Sequence, residues 1–227
     1  MRKLVLLCAF LAIPLFADSQ KTSLLSTPHT TAQTANAVTT QTDNLRLEAT
    51  VKWLGPSPVG SLILYNGNGC CSGWGILVLA STDNPPNVLA VLAGGIVVAT
   101  SPLTLTPNRW QHVTMDRVAG SVTLTVSDVG DDDDGTPPQT FSFGFIPVFF
   151  VGNLVQPHTY VGDVFNGFLS DAKITNLGGP SVIESWDFTH APATSGKLNL
   201  YSSPVGVNGH VLSNFTSWWA VPAHGND

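Results

Sequence analysis

Positive charge is scarce in this chain. Nine lysines and arginines are spread over 227 residues, with no basic cluster beyond Arg2-Lys3. Nucleic acid is bound by clustered cations, so that class of partner is excluded. Glutamate is scarcer still, with Glu48 and Glu184 the only two. Cysteine is limited to Cys8, Cys70 and Cys71, and no histidine or further cysteine stands at zinc-site spacing from the adjacent pair. Beyond the N-terminus, no apolar run approaches the ~20 residues of a membrane helix. Few segments carry helical periodicity.

What is present is the composition of an all-β sandwich. Residues are 43% hydrophobic, and 21 glycines and 16 prolines punctuate many short apolar runs. One domain of this kind takes ~200 residues. Frequent Thr and Ser give it a neutral, hydroxyl-rich surface.

Residues 1–19 read as a secretory signal: Arg2 and Lys3 form a positive start, residues 4–16 an apolar run broken by Pro14, and Ala17 and Ser19 small-residue cleavage positions. Cleavage after Ser19 removes two positive charges and one negative, taking the net charge from −6 to −7. The expected mature protein is secreted, with no membrane span. Residues 20–43 are a flexible leader or an irregular first strand, 44–222 the domain, and 223–227 a tail.

Strands follow from period-two alternation. In Leu45–Trp53 the odd positions are apolar and the even ones polar. Strands are expected at 61–65, 74–80, 88–92 and 96–99, the last two joined by the Gly94-Gly95 hairpin signal. Residues 108–126 form another hairpin, reversing at Ala119-Gly120, with an acidic exit loop over 128–138. Further strands are expected at 141–145, 148–151, 165–175 and 182–188.

Three of these segments, NRWQHVTMDRVAGSVTLTV (108–126), VFFVGN (148–153) and FNGFLSDAKITN (165–176), occur in fixed order. Together with VIESWDF (182–188), they make the chain resemble laminin-G-like, concanavalin A-like domains over roughly residues 45–221. The resemblance implies an all-β fold, a two-sheet antiparallel jelly-roll sandwich. It also implies a scaffold used mainly for recognition and sometimes for catalysis. Calcium in such domains is held by a rim aspartate with backbone carbonyls, so Asp163 and Asp171 are the Ca2+ positions implied. The chain departs from the pattern at Ser170-Asp171, where one carboxylate of an acidic pair is missing.

The residues argue against an enzyme. Glucanases of related fold place paired acids on one face of a strand. Here Glu184 and Asp187 are three apart and point to opposite faces. No serine lies in a G-x-S-x-G elbow, and His112 reads as a structural histidine bonded to backbone. The Asp131–Asp134 run lacks the spacing of a calcium loop and reads as a solvated tip.

Sugar binding needs aromatic faces for stacking, with amides or carboxylates for hydroxyls. Asn66, Asn68, Trp74, His158 and Tyr160 are the candidates, Tyr160 being the least explained by folding alone. Asn153 and Asn166 fall at motif positions that cap turns. Trp53, Trp110, Trp186 and Trp218 are assigned to the core. Outside the cytosol, Cys70 and Cys71 can close a vicinal disulfide that stiffens the glycine-rich 66–73 loop; a reduced pair or an interchain bond are the alternatives. Asn214-Phe215-Thr216 is a glycosylation sequon. The expected function is a secreted, non-catalytic recognition module for a glycan or an extracellular protein. The alternatives are a structural or adhesive component of a surface or particle assembly and, third, a glycoside hydrolase.

Overall fold

The computed structural model describes residues 24–26, 32–68, 72–146, 158–189, 193–194, 197–198, 205–209 and 212. Two antiparallel sheets make a jelly-roll sandwich. The larger contains β1 (Leu24–Ser26), β2 (Leu45–Trp53), β7 (Trp110–Val118), β8 (Ser121–Asp128), β9 (Gln139–Phe145), β11 (Gly167–Asn176) and β12 (Ser181–Asp187). The smaller contains β3 (Ser61–Asn68), β4 (Ser72–Val78), β5 (Val88–Ala93), β6 (Ile96–Thr104) and β10 (His158–Val161). A separate two-residue pair joins β13 (Ala193–Thr194) to β14 (Lys197–Leu198).

The larger sheet runs β1-β11-β2-β7-β8-β9, and the smaller runs β10-β3-β4-β5-β6. β1 and β12 share the outer edge of β11, one beside Gly167–Leu169 and the other beside Asp171–Asn176. The stretch before Asn44 is part of the sandwich where it is described. β1 pairs with β11, and Gln33 bridges to Tyr160.

Alternation sets the core. Leu45, Leu47, Ala49, Val51 and Trp53 point inward from β2, against Met115, Leu124 and Ile174 of the same sheet and Leu64, Ile76 and Val91 of the other. Each fully buried aliphatic side chain of this size is worth ~1.5–3 kcal/mol. Both hairpins form as their turn residues dictate. Gly94 and Gly95 have φ of 59° and 78°, and Ala119 and Gly120 have φ of 49° and 80°. Two positive φ values match the right-handed twist of the flanking strands.

Three expectations need correction. Trp110 is buried, but on the outer face of the larger sheet beside Lys52 and apart from the core that holds Trp53 and Trp186. The acidic loop is tied down rather than solvated throughout. Arg109 Nη2 lies 3.0 Å from Asp128 and 3.3 Å from Asp134, and Asp132 Oδ2 accepts the Trp110 N–H at 2.6 Å. His112 bonds a side chain, with Nδ1 3.0 Å from Thr50 Oγ1. The 148–151 strand, Asn153, Trp218, Asn214 and the Cys70-Cys71 pair lie outside the described residues.

Candidate functional site

Tyr160 and Tyr65 are register partners on β10 and β3, so both rings stand on the outer face of the smaller sheet. Their centroids are 6.2 Å apart, and the His158 ring packs edge-on against Tyr160 at 5.8 Å. Thr159 and Val161 alternate to the inside. Beyond β10 the chain turns back: Ile63 accepts the Gly162 N–H at 2.9 Å, and the Asp163 carbonyl accepts the Leu62 N–H at 3.0 Å. That return brings Asp163 to the end of a groove of about 180 Å³ lined by Leu62, Tyr65, Leu92, Gly95 and Tyr160.

The two tyrosines have different tasks. Tyr65 is 2% exposed, and its ring lies across β4 at Gly75. Its hydroxyl donates to the Ser72 carbonyl at 2.6 Å, has the Asn68 carbonyl at 3.2 Å, and accepts the Gly95 N–H at 3.0 Å. Burial pushes its pKa up to about 12. Tyr65 therefore builds the groove wall. Tyr160 is half-buried, and its hydroxyl makes no hydrogen bond to the described residues. Burial and then the Asp163 charge raise its pKa. His158 Nδ1–H donates to the Thr34 carbonyl at 2.8 Å, which leaves Nε2 as an acceptor. An aromatic ring with an unspent hydroxyl next to a carboxylate can stack on an apolar ring face and bind the hydroxyls around it.

The other sequence candidates are distributed differently. Asn66 is fully buried on the inner face; its amide donates to the Thr39 carbonyl at 2.9 Å and accepts from Thr159 Oγ1 at 2.7 Å. Trp74 is a core residue and offers no face to a ligand. Asn68 ends β3, where its N–H is 3.2 Å from Ser72 Oγ. Asn166 bonds the Gly55 carbonyl at 3.0 Å, a turn-holding role. Sequence reasoning missed Tyr65, Leu62, Leu92 and Gly95. The outward parity of Tyr65 against Leu64 and Asn66 was the available signal, but it needs the β3–β10 register to acquire meaning.

Asp163 and Asp171 are not brought together. Asp171 lies on the larger sheet, in a second groove of about 390 Å³ with Glu48, His112, Lys173, Ser185, Asp187 and Thr189. Strand register builds this groove by placing Asp187, Asp171, Thr50 and His112 in one row across β12, β11, β2 and β7. Glu48 is buried in the adjacent row beneath longer side chains. It pairs closely with Lys173 Nζ, and lies 3.7 Å from His112 Nε2 and 4.0 Å from Arg46 Nε. Arg46 in turn makes a two-pronged pair with Asp116 at 2.6 and 2.7 Å. Burial lowers the His112 pKa, against the pull of Asp171. Glu184 faces inward, fully buried, and accepts the N–H groups of Ser185 and Asn208 at 3.0 and 2.9 Å. Among the described residues, no three His, Cys, Asp or Glu side chains converge as a metal site.

No protein-family model matches the chain, and no curated protein matches it. Among solved structures, tailspike protein 2 from Escherichia coli O157:H7 bacteriophage CAB120 is similar at 14% identity and a TM-score of 0.43. The match covers 61% of this chain and 21% of the tailspike, so the chain spans about a fifth of that protein's length. The native heptameric SAP-like pentraxin of Limulus polyphemus is similar at 11% identity and a TM-score of 0.43, over 91% of this chain and 94% of that one. Likeness this distant transfers no ligand and no activity.

Proposed function

We propose that this chain is a secreted recognition module of laminin-G-like type that binds carbohydrate in the groove on the outer face of the smaller sheet. One observation carries the reading. The exposed part of Tyr160, with its unspent hydroxyl, stands next to Asp163 over a wall built by Tyr65, Leu62 and Leu92. That pairing of an aromatic face with a carboxylate is what a pyranose needs for stacking and hydroxyl recognition. The reading is non-catalytic because both glutamates are engaged, Glu48 by Lys173 and Glu184 by the 205–209 turn. Calcium, if used, would enter at Asp163 with backbone carbonyls or at Asp171, as two separate sites.

The test is a glycan array on the purified chain, with calcium and with chelator, under oxidising and reducing conditions. Tyr160→Ala and Asp163→Asn are each expected to weaken any hit by about tenfold or more, ~1.4 kcal/mol, with an unchanged circular dichroism spectrum. Silence from folded wild-type protein across all conditions would overturn the carbohydrate reading.

A further inference from the structure

Every sheet needs a way to stop, because an edge strand presents unpaired N–H and C=O groups that can template another chain. Three of the edges here are stopped visibly. Outside β10, residues 32–34 close the edge: Val161 N–H donates to the Ala32 carbonyl and Thr34 N–H to the Thr159 carbonyl, both at 2.9 Å. The outer edge of β11 is divided between β1 and β12, and the Val207 N–H closes on the Ser185 carbonyl of β12 at 3.0 Å. β6 carries Pro102 and two register shifts against β5.

β9 has almost none of these guards. Its sequence, Gln139-Thr-Phe-Ser-Phe-Gly-Phe145, contains no charge and no proline. Its irregularity against β8 falls at the far end, at Gly144, leaving residues 139–143 regular. Among the described residues, none beyond β8 hydrogen-bonds to β9, although β6 of the smaller sheet approaches it. Phe145 is 75% exposed, and Phe141 and Phe143, packed edge-on at 5.0 Å, are only partly buried.

We propose that β9 is a homodimer edge, on which a second copy of this chain pairs antiparallel about a two-fold axis through Phe141. The occupant follows from the strand's own pattern. Residues opposite one another across a sheet must share a face. Placing Phe141 opposite its own copy sets Thr140 of one copy opposite Ser142 of the other, twice. Those are the hydroxyl types β9 already pairs with β8, Thr140 with Thr125 at 3.2 Å and Ser142 with Thr123 at 3.0 Å. The hydroxyl rows would run unbroken across the axis, with phenylalanines meeting on the inner side, both favourable cross-strand pairs. The same register carries the exposed Phe145 toward Pro137-Pro138 of the other copy. Charge favours this direction as well. The chain is net negative, and antiparallel pairing holds the two Asp131–Asp134 runs at opposite ends, whereas parallel pairing would stack them.

Sedimentation equilibrium of the purified full chain at micromolar concentration tests this. Wild type is expected as a dimer. Thr140 and Ser142 are both exposed, so substitutions there spare the core. T140K/S142K sets lysine against lysine across the axis and is expected to give a folded monomer by circular dichroism. T140K/S142D sets lysine against aspartate in the same register and is expected to restore the dimer. A monomeric wild type overturns the proposal, as does a T140K/S142K variant that stays dimeric. A T140K/S142D variant that stays monomeric overturns the register.

Discussion

The ring of Tyr65 fills the space that a side chain at Gly75 would take on the neighbouring strand. A Cβ on Gly75 would sit 2.7 Å from Tyr65 Cδ2 and against the Leu64 carbonyl oxygen. Gly75→Ala is therefore expected to force ring and backbone apart at a cost of ~1–3 kcal/mol, read by urea denaturation. Tyr65 packs against Tyr160, so any glycan binding should weaken in parallel.

Of the two phenols among the described residues, that of Tyr65 is the more strongly perturbed. Its folded pKa of about 12 lies above the ordinary 10.0. The resulting stability is fully present below pH 10 and is lost as the pH rises from 10 through 12. Absorbance at 295 nm should show a late tyrosinate phase near pH 12, and Tyr65→Phe should abolish it. Survival of that phase in the variant would assign it to another tyrosine.

Glu48 and Lys173 should be coupled. Glu48→Gln removes the charged acceptor of Lys173 and leaves Arg46 and His112 beside a neutral amide. Lys173 is 41% exposed and can rehydrate, so the expected loss is held to about 1–2 kcal/mol. Lys173→Met leaves the buried Glu48 carboxylate without its closest cation and should cost more. The double variant should lose less than the sum of the two, a difference that chemical denaturation of all four proteins measures directly.

His112 predicts an acid-side slope in stability. Its folded pKa is lowered, chiefly by burial, so the unfolded chain binds the extra proton first as the pH falls through 6.5. Stability contributed by the neutral imidazole is present above pH 6.5 and declines as the pH falls from there toward the folded pKa. Thermal melts at half-unit intervals from pH 7.5 to 5 should show that decline in wild type. His112→Asn should flatten it over the same interval.

Much of the architecture was legible along the chain. Period-two alternation in residues 45–53 and 110–118 marks strands with one buried face, because successive side chains must point to opposite sides of a pleat. Gly94-Gly95 and Ala119-Gly120 marked their hairpins. The opposition of Glu184 and Asp187 was legible too, and the structure places one inside and the other out. Tyr160 was visible as a candidate, since no local folding role explained a tyrosine between proline- and glycine-rich turns, with His158 beside it as a further ligand candidate, whereas Asp163 was named only through the resemblance, as a calcium position.

The rest depended on which strands became neighbours. Alternation shows that Asn66 and Tyr65 face opposite ways, but not which way is in. The pairing of β3 with β10 made Asn66 a buried bracket for Thr39 and Thr159, and turned Tyr65 into a wall. In the same way, β11 lying between β2 and β12 put Asp171 beside Thr50 and Asp187, a sheet away from Asp163. The sequence by itself determined the class of fold, the strand faces and the turns, because these follow from local backbone geometry and burial. Only the tertiary structure decided which polar groups share a groove and which strands end each sheet among the described residues, because strand order and register are non-local and no single segment encodes them.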